Sequence, residues 1–259
     1  MTSPIFTSHP IKRLTFLICL SLFAGCQTIS VHNNRIQTSL KNKTDHILTN
    51  QTLSEATRRF LLLQEQQPEQ CMAQPDKCVQ HLQQNDILDK EQLYAAASEL
   101  YLAKATALEK QKYCSKSLTV KQNPAVMAQI ENCRDQQLQY FNQSLRYSYV
   151  YLFKSTQSPE ARVFDLRQGQ IRTFYNLAVS QLVNKAHERF PAQKIQPQLL
   201  LGKSTFHFDL QHYPALNQAD LERIQSSYNM NFSGFYSINR QEGLGAEFVV
   251  VKKNPQTPV

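Results

Sequence analysis

Apolar residues recur every three or four positions along three long segments, a spacing that places them on one face of an α-helix. The first segment spans residues 89 to 112, and the second follows the cap Asn123-Pro124 and continues to about residue 155. The third spans residues 165 to about 190. Acidic side chains of the first segment, Glu99 among them, are expected on its other faces. The pattern predicts long amphipathic helices packed as a bundle.

Two shorter helices are predicted before these. Thr52 and Glu55 have the spacing of a capping box, so a helix should begin there and end near Gln67-Pro68. Another should follow Pro75. Residues 51–198 are therefore predicted to form an α-helical domain.

Three tyrosines of the second long segment fall beside its apolar face: Tyr140, Tyr147 and Tyr151. Aromatic stripes can bind glycans or lipid tails. At helical spacing, however, we expect these rings to pack between helices, with their hydroxyl groups reaching polar partners.

The hydrophobic period changes after about residue 198. Apolar and polar residues alternate over 205–210 and again over 228–238, and an apolar run covers 248–251, so two or three strands are predicted. A short helix is expected over 217–227, and the last two strands are expected to pair as a hairpin. The predicted fold class is mainly α, a helical bundle with a small α+β segment over residues 199–259.

The six cysteines of the chain bear on the redox state of its cellular compartment. Cys19 lies in an apolar N-terminal run and Cys26 at its end, which leaves Cys71, Cys78, Cys114 and Cys133. Four cysteines allow three disulfide connectivities, of which we predict the local pairs Cys71–Cys78 and Cys114–Cys133. The larger loop, of about 20 residues, corresponds to roughly 3 kcal/mol in the chain-entropy treatment. Zinc binding is the competing interpretation, but the spacings are not those of a structural zinc site.

The N-terminus combines the basic pair Lys12-Arg13 with the apolar run LTFLICLSLFAGC of residues 14–26. The apolar part is shorter than the roughly 20 residues that a membrane-spanning helix needs, which is typical of a signal peptide. Its end, Ala24-Gly25-Cys26, resembles the bacterial lipobox, with Phe23 where that family usually has leucine. The resemblance implies that residues 1–25 are removed and that Cys26 is lipidated.

Further expectations follow from that resemblance. Residue 27 is glutamine rather than the aspartate that favours retention at the inner membrane in similar lipoproteins, which implies an outer-membrane anchor on the periplasmic side. Residues 26–50 are polar without a sustained period and are predicted to be a flexible tether that holds the domain on the order of 25 Å from the membrane.

The net charge of the 259-residue chain is +8, and about +6 remains once Lys12 and Arg13 are removed. The basic residues are scattered among acidic ones, so we interpret them chiefly as a solvated surface, with attraction to anionic lipid headgroups as the minor alternative. A nucleic-acid partner is not expected. The expected partners are the membrane, through the lipid anchor, and an envelope protein.

A second resemblance rests on short motifs: the lipobox cysteine Cys26, the Cys71–Cys78 segment, FYNLA at 174–178 and NRQEGLGA at 239–246. With these, the chain resembles the N-terminal helical region of bacterial envelope lipoproteins whose following domain is an esterase-like or lipase-like α/β-hydrolase. The resemblance implies that residues 199–259 are either part of a standalone module or the start of a truncated hydrolase domain.

Catalytic motifs are missing from the sequence. None of the six glycines frames a serine as G-x-S-x-G, and the chain has no P-loop, no G-x-G-x-x-G and no H-E-x-x-H. His207 and Asp209 fall on the polar face of a predicted strand without a nearby nucleophile. We therefore predict no catalytic, cofactor or metal site, and we do not expect this chain alone to be an enzyme.

The expected function is that of an outer-membrane-anchored periplasmic lipoprotein acting as a non-catalytic binding or assembly module. The alternative is the N-terminal part of a truncated cell-envelope hydrolase.

Overall fold

The computed structural model describes ten parts of the chain: residues 30–33, 52–114, 123–156, 162, 165–189, 198–201, 204–207, 221–227, 230–233 and 243–252. The predicted signal peptide and the lipidation residue Cys26 lie outside these residues. The described part is mainly helical, which confirms the predicted fold class.

Six helices form the bundle within the described residues. They are α1 (Glu55–Leu63), α2 (Pro68–Ala73), α3 (Pro75–Gln83), α4 (Lys90–Leu108), α5 (Pro124–Phe153) and α6 (Leu166–Arg189). The three long helices begin within one residue of the predicted starts because their start signals are local. Asp89 caps α4 by accepting from the backbone N–H of Glu91 at 2.9 Å, and Asn123 caps α5 by accepting from Ala125 at 2.9 Å.

The start of α1 differs from the prediction. Ser54, not Thr52, is the N-cap, and its hydroxyl accepts from the backbone N–H of Thr57 at 3.4 Å. The backbone N–H of Ser54 donates to Glu99 of α4, so a tertiary contact replaces the predicted capping box. The short helix α2 was not predicted. It begins at Pro68, where the sequence indicated only the end of α1.

Helix α4 lies at the centre of the bundle. Every residue from 93 to 105 is buried or half-buried, and the helix packs against all five others. Five alanines in this stretch, at positions 95, 96, 97, 103 and 105, have little side-chain volume and allow the neighbouring helices to approach closely. A helix apolar around most of its circumference must be covered on all sides. The other helices therefore form a layer around α4.

Two disulfides join the predicted local pairs. Cys71 of α2 is bonded to Cys78 of α3, with Cα atoms 5.2 Å apart, and Cys114 is bonded to Cys133 of α5, with Cα atoms 5.3 Å apart. All four cysteines are buried. The first bond holds the short helices α2 and α3 together, and the second joins the chain beyond α4 to the first half of α5.

The described strands form three two-stranded antiparallel sheets. The strands are β1 (Ser30–Asn33), β2 (Gln198–Leu201), β3 (Ser204–His207), β4 (Leu221–Ser226), β5 (Met230–Ser233) and β6 (Phe248–Lys252), paired as β1 with β5, β2 with β3 and β4 with β6. The C-terminal segment thus contains more strands than the two or three predicted. Residues 30–33 belong to the stretch predicted as a tether, and they form a strand instead.

Two predictions for the C-terminal segment are wrong. Residues 221–226, predicted as helix, form β4, and β6 pairs with β4 rather than with the 228–238 segment. Helix α6 explains part of this difference, since Asn184 accepts from the backbone N–H of Ser226 at 2.9 Å. The backbone N–H of Ser227 donates to the carbonyl of Glu247, also at 2.9 Å. These contacts span long sequence separations and leave no local signal.

A second asparagine of α6 binds the turn before β6. The Asn176 side chain donates to the Gly243 carbonyl at 2.9 Å and accepts from the Gly245 N–H at 2.8 Å. Gly245 has φ +105°, which an L-residue with a side chain rarely adopts. The motif FYNLA and residues 243–246 of the motif NRQEGLGA, noted separately in the sequence, therefore meet in the fold.

Candidate functional site

The candidate site is a cavity of about 210 Å³ where the N-terminal turns of α1, α4 and α6 meet the C-terminal turn of α5. Its apolar wall includes Phe60, Ala95 and Ala96, and its polar wall includes Thr57 and Arg167. A mixed lining of this kind could hold a small molecule with one apolar and one polar face.

Behind the polar wall lies a buried group of four residues, which we call the Glu99 cluster: Glu99 of α4, Ser54 and Thr57 at the start of α1, and Arg167 of α6. The Glu99 carboxylate is 0% exposed. It accepts from the Ser54 backbone N–H, the Ser54 hydroxyl and the Thr57 hydroxyl, each at 2.6 Å. Arg167 Nη1 donates to it at 3.2 Å. One carboxylate therefore joins three helices.

The two hydroxyl groups of the cluster both donate to Glu99 and accept from Arg167. Ser54 Oγ donates to Glu99 and accepts from Arg167 Nη1 at 2.8 Å and from the Thr57 backbone N–H at 3.4 Å. Thr57 Oγ1 donates to Glu99 and accepts from Arg167 Nη2 at 2.5 Å. A serine hydroxyl has one proton and two lone pairs, and all three are used at Ser54. Its oxygen is therefore not arranged to attack a substrate, despite the adjacent carboxylate.

Three further carboxylates line the cavity, and each accepts a hydrogen bond. Asp89 caps α4, and Asp165 accepts from the backbone N–H of Arg167 at 2.8 Å. Glu91 accepts from the backbone N–H and the hydroxyl of Thr156, both at 2.9 Å. These groups fix the helix ends around the cavity, because a carboxylate at a helix N-terminus interacts favourably with the helix dipole.

Tyr151 of α5 forms part of the same wall. Burial, more than the nearby Asp165, raises the pKa of its phenol, so the hydroxyl stays protonated. The guanidinium of Arg162 lies over the ring at 4.8 Å and donates to the Tyr151 carbonyl at 3.0 Å. Arg162 is 5% exposed, and its Nε and Nη1 atoms have no hydrogen-bond partner among the residues that the structure describes. The ring supplies an attractive face for this buried cation.

A second polar group lies where α3 covers α4 and α5, and we call it the tyrosine cluster: Asp76, Tyr101, Tyr140 and Tyr147. Asp76 accepts from the hydroxyls of Tyr101 at 3.0 Å and Tyr140 at 3.2 Å. The Tyr101 ring stacks on Tyr140 and Tyr147, with centroids 6.1 Å and 5.6 Å apart. Tyr140 and Tyr147 therefore pack between helices as expected. Tyr151 also packs into the helical core, where it is 5% exposed, and it lines the cavity as well.

The sites predicted from the sequence coincide only in part with those in the structure. Cys71, Cys78, Cys114 and Cys133 form buried disulfides, and Cys26 lies outside the described residues. The Glu99 cluster was missed, because Glu99 was expected on an outer face of α4. A signal for its burial was present: the residues three and four positions away, Ala95, Ala96, Leu102 and Ala103, are all apolar.

Metal clusters and membrane-spanning helices are both absent from the described residues. No group of three or more His, Cys, Asp and Glu side chains there could hold a metal ion. None of the described helices is long and apolar enough to cross a membrane.

Comparisons with known proteins add no family assignment. No protein-family model matches the chain, and neither a curated protein nor a solved structure matches it significantly.

Proposed function

We propose that the chain is a lipoprotein of the cell envelope, anchored through Cys26 to the periplasmic side of the outer membrane, and that it acts as a non-catalytic binding or assembly module. The observation that carries the proposal is the sequence pattern at residues 12–26, in which a basic pair and a short apolar run end in Ala24-Gly25-Cys26. Acyl chains on one residue give stable membrane attachment once two or more are present.

The two buried disulfides support an oxidising compartment. Disulfides persist in the periplasm and outside cells and are rare in the reducing cytosol. Here two bonds join Cys71 to Cys78 and Cys114 to Cys133 within one helical bundle. This arrangement agrees with export behind a signal peptide.

The position of β1 brings folded structure near the proposed anchor. Ser30, the first residue of β1, follows Cys26 by four residues, and four residues span at most about 14 Å. Strand β1 pairs with β5, so a part of the C-terminal segment would be held close to the bilayer.

The cavity supports binding rather than catalysis. The carboxylate of Glu99 and the hydroxyls of Ser54 and Thr57 are engaged with one another and with Arg167. A general base must reach a substrate proton, and a nucleophile needs an accessible lone pair. The groups that remain at the cavity surface can hold a small polar ligand in one orientation.

Intact-mass measurement of the protein purified from native membranes tests the anchor. We expect a polypeptide beginning at residue 26 with the added mass of a diacylglyceryl group and an amide-linked acyl chain. Cys26→Ala should abolish both cleavage and acylation, whereas Cys19→Ala, within the same apolar run, should leave both unchanged. A mature chain with an unmodified Cys26 would overturn the proposal.

A second candidate function is the N-terminal part of an envelope hydrolase. The contacts of Asn176 with Gly243 and Gly245 favour it, because they join two of the four motifs on which that resemblance rests. Incubation of the purified protein with short-chain and long-chain esters separates the candidates. Turnover that co-elutes with the chain through successive purification steps at constant specific activity would contradict the non-catalytic module, whereas turnover that separates from the chain would identify a contaminant.

A further inference from the structure

Three aromatic side chains form an exposed surface on the side of α5 that faces away from α4. Tyr149 and Phe153 of α5 are 44% and 40% exposed, and their ring centroids are 4.8 Å apart. Tyr175 of the neighbouring α6 is half-buried and meets Phe153 edge-on at 6.3 Å. Exposed aromatic rings in contact with one another form a patch that a partner can cover.

Positive charge flanks this patch. Arg146 lies one helical turn before Tyr149, Lys154 follows Phe153, and both are exposed. Neither takes part in an ion pair with another of the residues that the structure describes. We call the patch with these two residues the α5/α6 aromatic face.

The parts of α5 and α6 that form the face contain no acidic residues. Helix α5 has none after Asp135, and α6 has none before Glu188. Two carboxylates lie near the end of α5: Glu91 of α4, which accepts from Thr156, and Asp165, which accepts from the backbone N–H of Arg167. The charged residues that α5 and α6 themselves contribute beside the face are therefore basic.

The chemistry of the face fits an anionic bilayer surface. Tyrosine rings have an apolar body and a polar tip and are enriched at the depth of lipid headgroups. Arginine and lysine beside them can attract anionic headgroups while their apolar stems lie along the rings. A second copy of the chain fits less well, because symmetric pairing would bring Arg146 and Lys154 against their own counterparts.

We propose that the α5/α6 aromatic face contacts anionic lipid headgroups of the membrane that carries the protein. The inference rests on the proposed function, because an anchor at Cys26 would keep the bundle beside a bilayer. It goes beyond that function by naming a second membrane contact, made by the bundle itself.

The absence of tryptophan from the chain provides a clean test. Phe153→Trp places a single fluorophore on the face, and Asn132→Trp places one at an exposed position of the same helix, about 30 Å away along the axis. The exported protein carrying each variant is reconstituted into vesicles with and without one-third phosphatidylglycerol, both with brominated acyl chains. We expect blue-shifted, quenched emission from Phe153→Trp on anionic vesicles and none from Asn132→Trp.

Charge removal tests the proposed partner. Adding Arg146→Gln and Lys154→Gln to Phe153→Trp should lower, by about 30-fold, the ratio of molecules whose aromatic face is bound to the membrane to those whose face is unbound. High salt should lower the same ratio. Emission from Phe153→Trp that matches the Asn132→Trp control, or equal quenching on vesicles without anionic lipid, would overturn the inference. A concentration-dependent blue shift in vesicle-free buffer would also overturn it, by assigning the face to a second copy.

The intact mass of the same preparation distinguishes the two proposals. Missing lipid on Cys26 would overturn the proposed function. A lipidated protein whose Phe153→Trp variant is not quenched would overturn the aromatic face alone.

Discussion

The Glu99 cluster and the tyrosine cluster use the same element, one carboxylate on which hydroxyl groups converge, in opposite environments. Glu99 is completely buried and has a cationic partner, Arg167. Asp76 is exposed, and within the described part of the chain it accepts from the neutral hydroxyls of Tyr101 and Tyr140. The first joins α1, α4 and α6, and the second joins α3, α4 and α5. Each cluster holds a peripheral helix against α4.

The environment of each carboxylate, more than the number of its hydrogen bonds, determines how much it contributes to the free energy of unfolding. Breaking a buried ion pair leaves a charge without compensation in a low-dielectric interior. Water replaces much of what is lost when an exposed hydrogen bond is broken. The same acid-to-amide substitution should therefore have very different effects at the two positions.

The largest expected effect is that of Glu99→Gln. The substitution removes the charge opposite Arg167 and places an amide NH₂ among the donors of Ser54 and Thr57. We expect the free energy of unfolding, measured by urea denaturation, to fall by about 3–5 kcal/mol.

Glu109→Gln is the matched control for this prediction. Glu109 is the C-cap of the same helix, its side chain is 39% exposed, and it pairs with Lys185 at 3.4 Å. Its loss should cost no more than about 1 kcal/mol. Equal losses at Glu99 and Glu109 would show that the Glu99 cluster is not a stabilising element.

The next effect is the coupling between Glu99 and Arg167. Once either charge is gone, removing the other relieves an uncompensated group, so the two losses should not add. We expect the double variant Glu99→Gln/Arg167→Gln to be more stable than the sum of the single losses implies, by about 1–3 kcal/mol. A double-mutant cycle in urea measures this, and strict additivity would contradict a direct interaction.

The two clusters also differ in how far the sequence could predict them. Tyr140 and Tyr147 were expected between helices because their spacing follows one face of α5, which is a local pattern. Glu99 was expected on an outer face, because its partner Arg167 lies 68 positions away and Ser54 lies 45 positions away. An isolated helix pattern does not show that a charge has found its counter-charge.

The helices and the strands also differ in how far the sequence predicts them. Asn123 and Asp89 begin α5 and α4 through hydrogen bonds to residues two positions on, so their signals stand in the sequence itself. In contrast, β6 pairs with β4 and β5 pairs with β1, across about 26 and 200 residues. Alternating apolar residues indicate a strand but do not select its partner, and the expected hairpin was wrong for that reason.

A smaller effect is expected for Asp76→Asn. The substitution weakens the hydrogen bonds from Tyr101 and Tyr140, but the position is exposed and an asparagine oxygen can still accept one of them. We expect a loss of about 1 kcal/mol in the free energy of unfolding. Asp86→Asn, an exposed aspartate before α4, should change it by less than about 0.5 kcal/mol. A loss at Asp76 as large as that at Glu99 would remove the contrast between the clusters.

The smallest expected effect at neutral pH is that of the ionisation of Tyr101 and Tyr140 on stability. Burial, and after it the charge of Asp76, raises the pKa of Tyr101 and of Tyr140 above the ordinary value of about 10. A folded-state pKa above that of the unfolded chain means that the folded protein holds these protons more tightly. The corresponding stability is fully present below about pH 10 and is lost as the pH rises above it.

Urea denaturation between pH 8 and pH 12 measures that loss, with tyrosinate absorbance as an independent record of ionisation. Tyr101→Phe keeps the ring that stacks on Tyr140 and Tyr147 but removes the titrating hydroxyl, so the free energy of unfolding should fall less steeply above pH 10. Tyr149→Phe, on the exposed face of α5, should leave the slope unchanged. If both variants kept the wild-type slope, the tyrosine cluster would owe its stability to ring packing alone, because losing a proton that the folded state binds more tightly than the unfolded chain must lower the free energy of unfolding.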